Sequence, residues 1–150
     1  MRFLLVDQIT EWGSGRKIMG IKNVAMSEDF LEFHFPKNPI MPGILLVEGL
    51  AQLAGWLEAE SSGFENWVLM NEVKKCYFYG FVFPGDQVEL EVQALDETEG
   101  EIKTYRGIGM VAGKKKIRAE FGARVIRLSE IEAIEDRRYF FRILTRESEL

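Results

Sequence analysis

The sequence predicts an α+β domain in which one enclosed helix packs on an antiparallel sheet, and three observations carry that expectation. Residues Ile44 to Leu57 contain a single charged side chain, Glu48, and a helix that is apolar nearly all round is one surrounded by other structure. After "ESSG" at 60–63 the chain turns to β-rich stretches with short turn signals between them. With 150 residues, 47% hydrophobic and 29% charged, the composition is that of an ordinary globular domain able to bury roughly 70% of its unfolded surface. The whole of 1–150 is therefore taken as one domain, with a C-terminal extension from about 129 to 150.

The elements follow in order. "FLLVDQITEW", a "GSG" at 13–15 and "RKIMGIKNVAM" predict two extended segments around a flexible turn, because Ile18, Ile21 and Val24 are separated by polar or small residues. "FLEFHF" at 30–35 alternates apolar with polar residues and predicts a strand, which Pro36, Pro39 and Pro42 then stop. Pro42 suits a helix's first turn, where its missing N–H has no partner to lose. The helix should end near 60–63. Strands are expected in "WVLMNEV", in "KKCYFYGFVF", in "QVELEVQAL" after the "PGD" turn, and in "IKTYRGIGMV" and "KKIRAEFGARVIRL" around a tight turn at Ala112 and Gly113. In the tail, Ile131, Ile134, Phe141 and Leu144 permit a short terminal helix.

Composition also excludes several functions. A formal charge of −5 and a pI near 5.1 argue against a nucleic-acid partner, whose phosphates need clustered Lys and Arg. The single cysteine, Cys76, and single histidine, His34, leave no disulfide framework and no expected metal site. Cys76 reads as a strand residue, since no second histidine exists to activate it. The apolar run "FLLV" before Asp7 is too short for a signal peptide, and no stretch approaches eighteen uncharged apolar residues. A cytoplasmic protein without stable membrane insertion is expected. "KKCYFYGFVF" reads as sheet core and tunnel wall, Lys114 to Lys116 as the edge of a solvated hairpin, and Trp56 and Trp67 as packing.

Two residues stand out chemically. On a helix the neighbours of Glu48 three and four positions away are Leu45, Ile44, Ala51 and Gln52. A carboxylate on such a face needs a raised pKa or a hydrogen-bonding partner, and Gln52 lies on the same stripe to orient it. The alternative is a carboxylate that reaches solvent or makes a structural hydrogen bond. His34, between Phe33 and Phe35, reads on local pattern alone more readily as a structural residue than as a catalytic one. Three prolines in the seven positions 36–42 stiffen the connection between them, and Gly43 at a helix N-terminus allows close approach of a ligand to unpaired N–H groups. A base, an acid and an oxyanion donor could converge there.

"HFPKNPIMPGILLVEGLAQ", residues 34–52, resembles the signature of the 3-hydroxyacyl-acyl-carrier-protein dehydratases of type II fatty acid synthesis, the FabZ kind. The resemblance continues in "FLLVDQITEWGSGRKIMGIKNVAMSED" before it and in "FVFPGDQVELEV" and "IRAEF" after it, covering roughly residues 3 to 126. It implies a hotdog fold, a long helix wrapped by an antiparallel sheet. It also implies cofactor-free dehydration of a (3R)-hydroxyacyl thioester to the trans-2-enoyl thioester. His34 matches the family's catalytic histidine and Glu48 its catalytic carboxylate. The implied partner is an acyl carrier protein. The implied assembly is a homodimer or a trimer of dimers, each site taking His34 from one chain and Glu48 from another. Glutamate at 48 distinguishes the chain from the related dehydratase-isomerases, which carry aspartate there. Hydratases of the MaoC kind reverse the order of acid and histidine.

The chain departs from the family pattern at three places. Lys37 stands where "HFPG" has glycine, the strand before "PGD" reads Tyr77–Phe83 without the usual basic and proline residues, and the tail is long. Lys74, Lys75 and Lys37 are the candidates for docking an acidic carrier. A hotdog thioesterase and a non-catalytic acyl- or carrier-binding module are the competing readings.

Overall fold

The computed structural model describes residues 3–13 and 15–147. Six strands form one antiparallel sheet in the order β1-β2-β4-β5-β6-β3. They are β1 Gln8–Gly13, β2 Lys17–Asn23, β3 Asn66–Phe78, β4 Gln87–Glu99, β5 Ile102–Val111 and β6 Lys114–Arg127. Helix α1, Gly43–Ser61, lies along the inner face, and α2, Ile134–Thr145, closes one end. Of the expected "GSG" turn, Ser14 lies outside the described residues, as do the last three residues of the extension.

The inner face is read from the alternation. Val88, Leu90 and Val92 of β4, Tyr105 of β5, and Ile117, Ala119, Phe121 and Ala123 of β6 all point at α1 and are buried. From the helix, Leu46, Val47, Leu50, Leu53, Ala54 and Leu57 fill the space. The approach of β5 is close at Gly107, where a Cβ would meet the side chain of Leu50 at 2.7 Å, so β5 can lie this near the helix only with glycine there. The turn between β5 and β6 uses Ala112 and Gly113 at φ of 49° and 78°, the left-handed pair that a two-residue hairpin of native twist requires.

Two expectations need correction. Residues 30–35 are not a strand. A 3-10 helix, Asp29–Glu32, and a tight turn stand there, with only Leu31 of 30–35 buried and Phe33 76% exposed. Alternation makes a strand only when another strand offers hydrogen bonds; here the chain must instead cross from β2 to the start of α1, and the three prolines deny it a ladder. "WVLMNEV" and "KKCYF" are one 13-residue strand, β3, bent by register shifts after Met70 and Val73. Residues 79–83 then leave the sheet, held by Tyr79 N–H to the Lys116 carbonyl and by Met41 N–H to the Val82 carbonyl.

The tail forms the expected helix. Phe141 and Leu144 are buried, and Ile131, before the helix, is exposed. Phe141 meets Trp12, Trp56 and Phe64, while the Arg137 guanidinium lies 5.3 Å from the ring of Trp56 and 4.5 Å from that of Trp67. Among the described residues no helix is long and apolar enough to cross a membrane.

Candidate active site

His34 is half-buried and fastened to Ile40 twice. Ile40 N–H donates to the His34 carbonyl at 2.8 Å, and His34 Nδ1 lies 2.7 Å from the Ile40 carbonyl oxygen. A carbonyl can only accept, so Nδ1 carries a proton, and in the neutral ring Nε2 is the nitrogen with the free lone pair. Between these anchors Phe35 and Asn38 exchange backbone hydrogen bonds of 2.9 and 3.0 Å, closing a turn with Lys37 at its exposed tip. Lys37 is not among the described non-glycine residues of positive φ, so the turn makes no demand for glycine at this position. The His34–Phe35 peptide is cis, and the two rings stack with centroids 4.2 Å apart.

Gly43 opens α1 directly after Pro42. An N–H in a helix's first turn has no carbonyl one turn earlier, and the peptide dipoles add partial positive charge there. A Cβ on Gly43 would stand 2.4 Å from Phe78 Cε1, so any side chain would push that ring off the helix start. His34 and Gly43 line one apolar groove of about 720 Å³, walled by Ile44, Leu46, Phe78 and Phe81. The divergent stretch at the end of and after β3 is therefore a groove wall in this chain, but it does not supply the expected sheet core, since of residues 74–83 only Val82 is buried.

Glu48 is half-buried on α1, and its hydrogen-bonding partner is Gln52, whose Nε2 donates to Glu48 Oε1 at 3.2 Å. The amide cannot be turned the other way. Its Oε1 accepts the Leu5 N–H at 3.0 Å and its Nε2 also donates to the Phe3 carbonyl at 2.8 Å. Gln52 thus presents a donor to one carboxylate oxygen and leaves Oε2 for other partners. Neither Glu48 nor Gln52 lines the groove that holds His34. One chain thus holds two separate arrangements, an imidazole sharing a groove with the first residue of α1 and a carboxylate with its orienting amide.

The lysines divide differently from the sequence reading. Lys37, Lys74 and Lys75 do not line the groove. Lys74 reaches the Thr104 hydroxyl at 3.4 Å, and Lys75 gathers with Tyr77, Arg118 and Glu120 on the outer sheet face. There a hydrogen bond from Arg106, with other cations nearby, holds the Glu120 carboxyl below the usual range. The cations beside the groove wall are Lys115, 5.8 Å from the Tyr79 ring centroid, and Lys116, whose Nζ lies 3.3 Å from where a Cβ of Gly80 would stand. Lys114 and Lys115 are exposed at the hairpin as expected, but the segment 79–83 folds back beside them. Local sequence carries no signal for that juxtaposition. Burial pushes the Cys76 thiol up, which accords with a strand residue and not a nucleophile. No cluster of metal-ligating side chains occurs among the described residues.

A family model described as the FabA-like domain matches residues 1–120. The 3-hydroxyacyl-[acyl-carrier-protein] dehydratase FabZ of Thermoanaerobacter sp. (strain X514) is 43% identical over 119 residues, spanning 79% of this chain and 83% of that protein. The FabZ of Geobacter metallireducens is 42% identical over 129 residues, 81% and 82% of the two chains. Among solved structures, the dehydratase heterocomplex ApeI:P from Xenorhabdus doucetiae gives a TM-score of 0.60 at 16% identity, covering 76% of this chain and 92% of that one. A Streptococcus mutans UA159 protein bound to acetyl CoA gives 0.63 at 11% identity, covering 85% and 94%. At such identities the structures bear on the fold alone, which is the hotdog fold. By the extent of the family match and the identity of these relatives, the chain belongs to the FabA-like family, with the FabZ-like 3-hydroxyacyl-acyl-carrier-protein dehydratases.

Proposed function

We propose that this enzyme dehydrates a (3R)-hydroxyacyl chain held on an acyl carrier protein, with His34 of one protomer as base and Glu48 of its partner as acid. The observation that carries this reading is the division of the site: a base with an oxyanion donor in one groove, and an oriented carboxylate that does not line it. In the reaction His34 Nε2 removes the proton α to the thioester while the Gly43 N–H stabilises the developing enolate oxygen. The C–O bond to the β-hydroxyl then breaks, Glu48 supplies the proton that turns the departing group into water, and the trans-2-enoyl thioester remains. Proton transfer from the imidazolium back to the carboxylate resets the pair. Every step is acid–base chemistry on these side chains and one backbone N–H, so no cofactor is required.

A second protomer has a physical motive. β3 is an edge strand of thirteen residues with exposed Leu69, Val73 and Tyr77, and the groove leaves Ile44, Phe78 and Phe81 exposed. A bare strand edge beside uncovered aromatics favours pairing with another copy, as a dimer or within a trimer of dimers. The acidic carrier would approach over Lys115 and Lys116, with Lys37, Lys74 and Lys75 as more distant contributors. The proposed compartment is the cytoplasm, as expected of an enzyme serving a carrier of fatty acid synthesis.

The test is symmetric. Inactive His34→Ala and inactive Glu48→Ala proteins, mixed under conditions that exchange chains, should regain activity, because each heterodimer contains one site with both groups. Silence after chain exchange has been confirmed by tag capture would refute the shared site. Release of free thiol without enoyl thioester would instead identify a thioesterase, and tight binding without turnover a binding module.

A further inference from the structure

Lys22 is 4% exposed and sits on the core-facing row of β2, after Ile18 and Gly20. A lysine on such a row must be paired, since an unpaired buried ammonium loses hydration without compensation. Its Nζ is 2.6 Å from Glu28 Oε1 and 3.7 Å from Asp7 Oδ2. Neither carboxylate belongs to the catalytic pair, and the reaction as derived uses none of the three groups.

We propose that Lys22 is a positioning residue that anchors both half-sites, the His34 loop through Glu28 and the Glu48–Gln52 pair through Asp7. The first branch is short. Glu28 immediately precedes the 3-10 helix, its carbonyl accepts the Leu31 N–H at 3.1 Å, and Leu31 is the last buried residue before His34. From Glu32 to Pro39 no side chain is fully buried, so the loop's N-terminal footing is Leu31 together with the Lys22–Glu28 pair.

The second branch runs through the segment before β1. Asp7 Oδ2 accepts the Asn23 N–H at 2.7 Å, and Asp7 N–H donates to the Ile21 carbonyl at 2.7 Å. These bonds and the Lys22 ammonium fix the chain two residues after Leu5. Leu5 N–H and the Phe3 carbonyl are the groups that decide which way the Gln52 amide faces, and hence whether Glu48 meets a donor or an acceptor. A slackened segment would let that amide rotate. Small displacements of reacting groups are expensive in rate, on the order of a hundredfold for about 1 Å.

This proposal rests on the shared-site reading for its most specific consequence. If His34 and Glu48 of one chain serve different sites, each Lys22 supports the base of one site and the acid of the other.

The experiment uses the complementing mixture of His34→Ala and Glu48→Ala chains. Its one competent site takes Glu48 from the first chain and His34 from the second. Lys22→Met, which keeps length and removes charge, should lower kcat at least about tenfold in either chain, with KM within about twofold. Glu28→Gln should lower kcat at least about fivefold more in the chain that supplies His34 than in the other, and Asp7→Asn should show the opposite preference. A purely structural role would lower the folded fraction without that chain preference. Should Lys22→Met not fold, the two carboxylate variants decide the matter alone. Equal effects of Glu28→Gln in both chains, or a folded Lys22→Met heterodimer with kcat within about twofold of its parent, would overturn the proposal. If the unmodified mixture stays silent, the shared-site reading fails by itself. Lys22→Met in the otherwise native enzyme then decides whether Lys22 positions the site: a fall in kcat at unchanged KM upholds it, and unaltered kcat overturns it.

Discussion

Two glutamates on α1 occupy contrasting settings. Glu58, near the C-terminal end, is 6% exposed, and its Oε2 accepts a 2.8 Å hydrogen bond from Lys103 Nζ. Beside it Tyr105 is fully buried, and burial together with the Glu58 carboxylate holds that phenol above its usual range. α2 packs on the helix two positions away at Trp56, against Phe140 and Phe141. Glu48, nearer the N-terminal end, is less buried, and among the described residues its hydrogen-bonding partner is the neutral Gln52 amide. The deeper carboxylate is the compensated one. In the proposed mechanism the acid is thus the less buried carboxylate, set apart by an orienting donor without a neutralising cation among the described residues.

Substitutions at the two ends should separate chemistry from stability. At the open end, His34→Ala and Glu48→Gln should each lower dehydration by at least about a hundredfold while the thermal midpoint stays within a few degrees, measured by enoyl thioester formation and calorimetry. Near-native turnover by either variant would remove the contrast. At the closed end, Phe141→Ala should reduce unfolding free energy by about 3 kcal/mol, the usual range for emptying a buried aromatic site, with kcat of the folded enzyme unchanged. A fall in kcat instead would mean that α2 reaches into the chemistry.

Glu58→Gln is a smaller perturbation. Lys103 is 40% exposed and can return to water, so the loss should be near 1 kcal/mol in chemical denaturation, with kcat within about twofold of native. If Glu58→Gln proved as damaging to turnover as Glu48→Gln, the two carboxylates would have to be treated alike. Least of all, charge reversal at Lys115 and Lys116 should raise KM for carrier-bound substrate a few-fold and leave coenzyme A thioesters unaffected. Reversal at Lys74 and Lys75 should do less, because those residues lie off the groove. Equal effects on both thioesters would argue against docking there.

The contrast between Glu48 and Glu58 was half visible before any coordinates. An apolar run from 44 to 57 isolates Glu48, and the motif around it assigns a matching histidine. Glu58 falls one position past that run, and its setting beside Tyr105 and Lys103 depends on residues arriving from elsewhere in the chain.

Elements written in local periodicity were legible in the chain: the enclosed helix, the hairpin at Ala112 and Gly113, and the terminal helix. The alternation at 30–35 misled because a strand needs a partner's N–H and C=O groups, and none is offered on that path. The His34 tautomer, the orientation of the Gln52 amide by Leu5 and Phe3, the pairing of Lys22 with Asp7 and Glu28, and the return of Lys115 and Lys116 beside the groove all join residues distant in sequence. Periodicity records which face of an element is buried. It holds no record of which remote donor meets which acceptor, because that is settled only when strand register and loop path bring the groups within about 3 Å of each other.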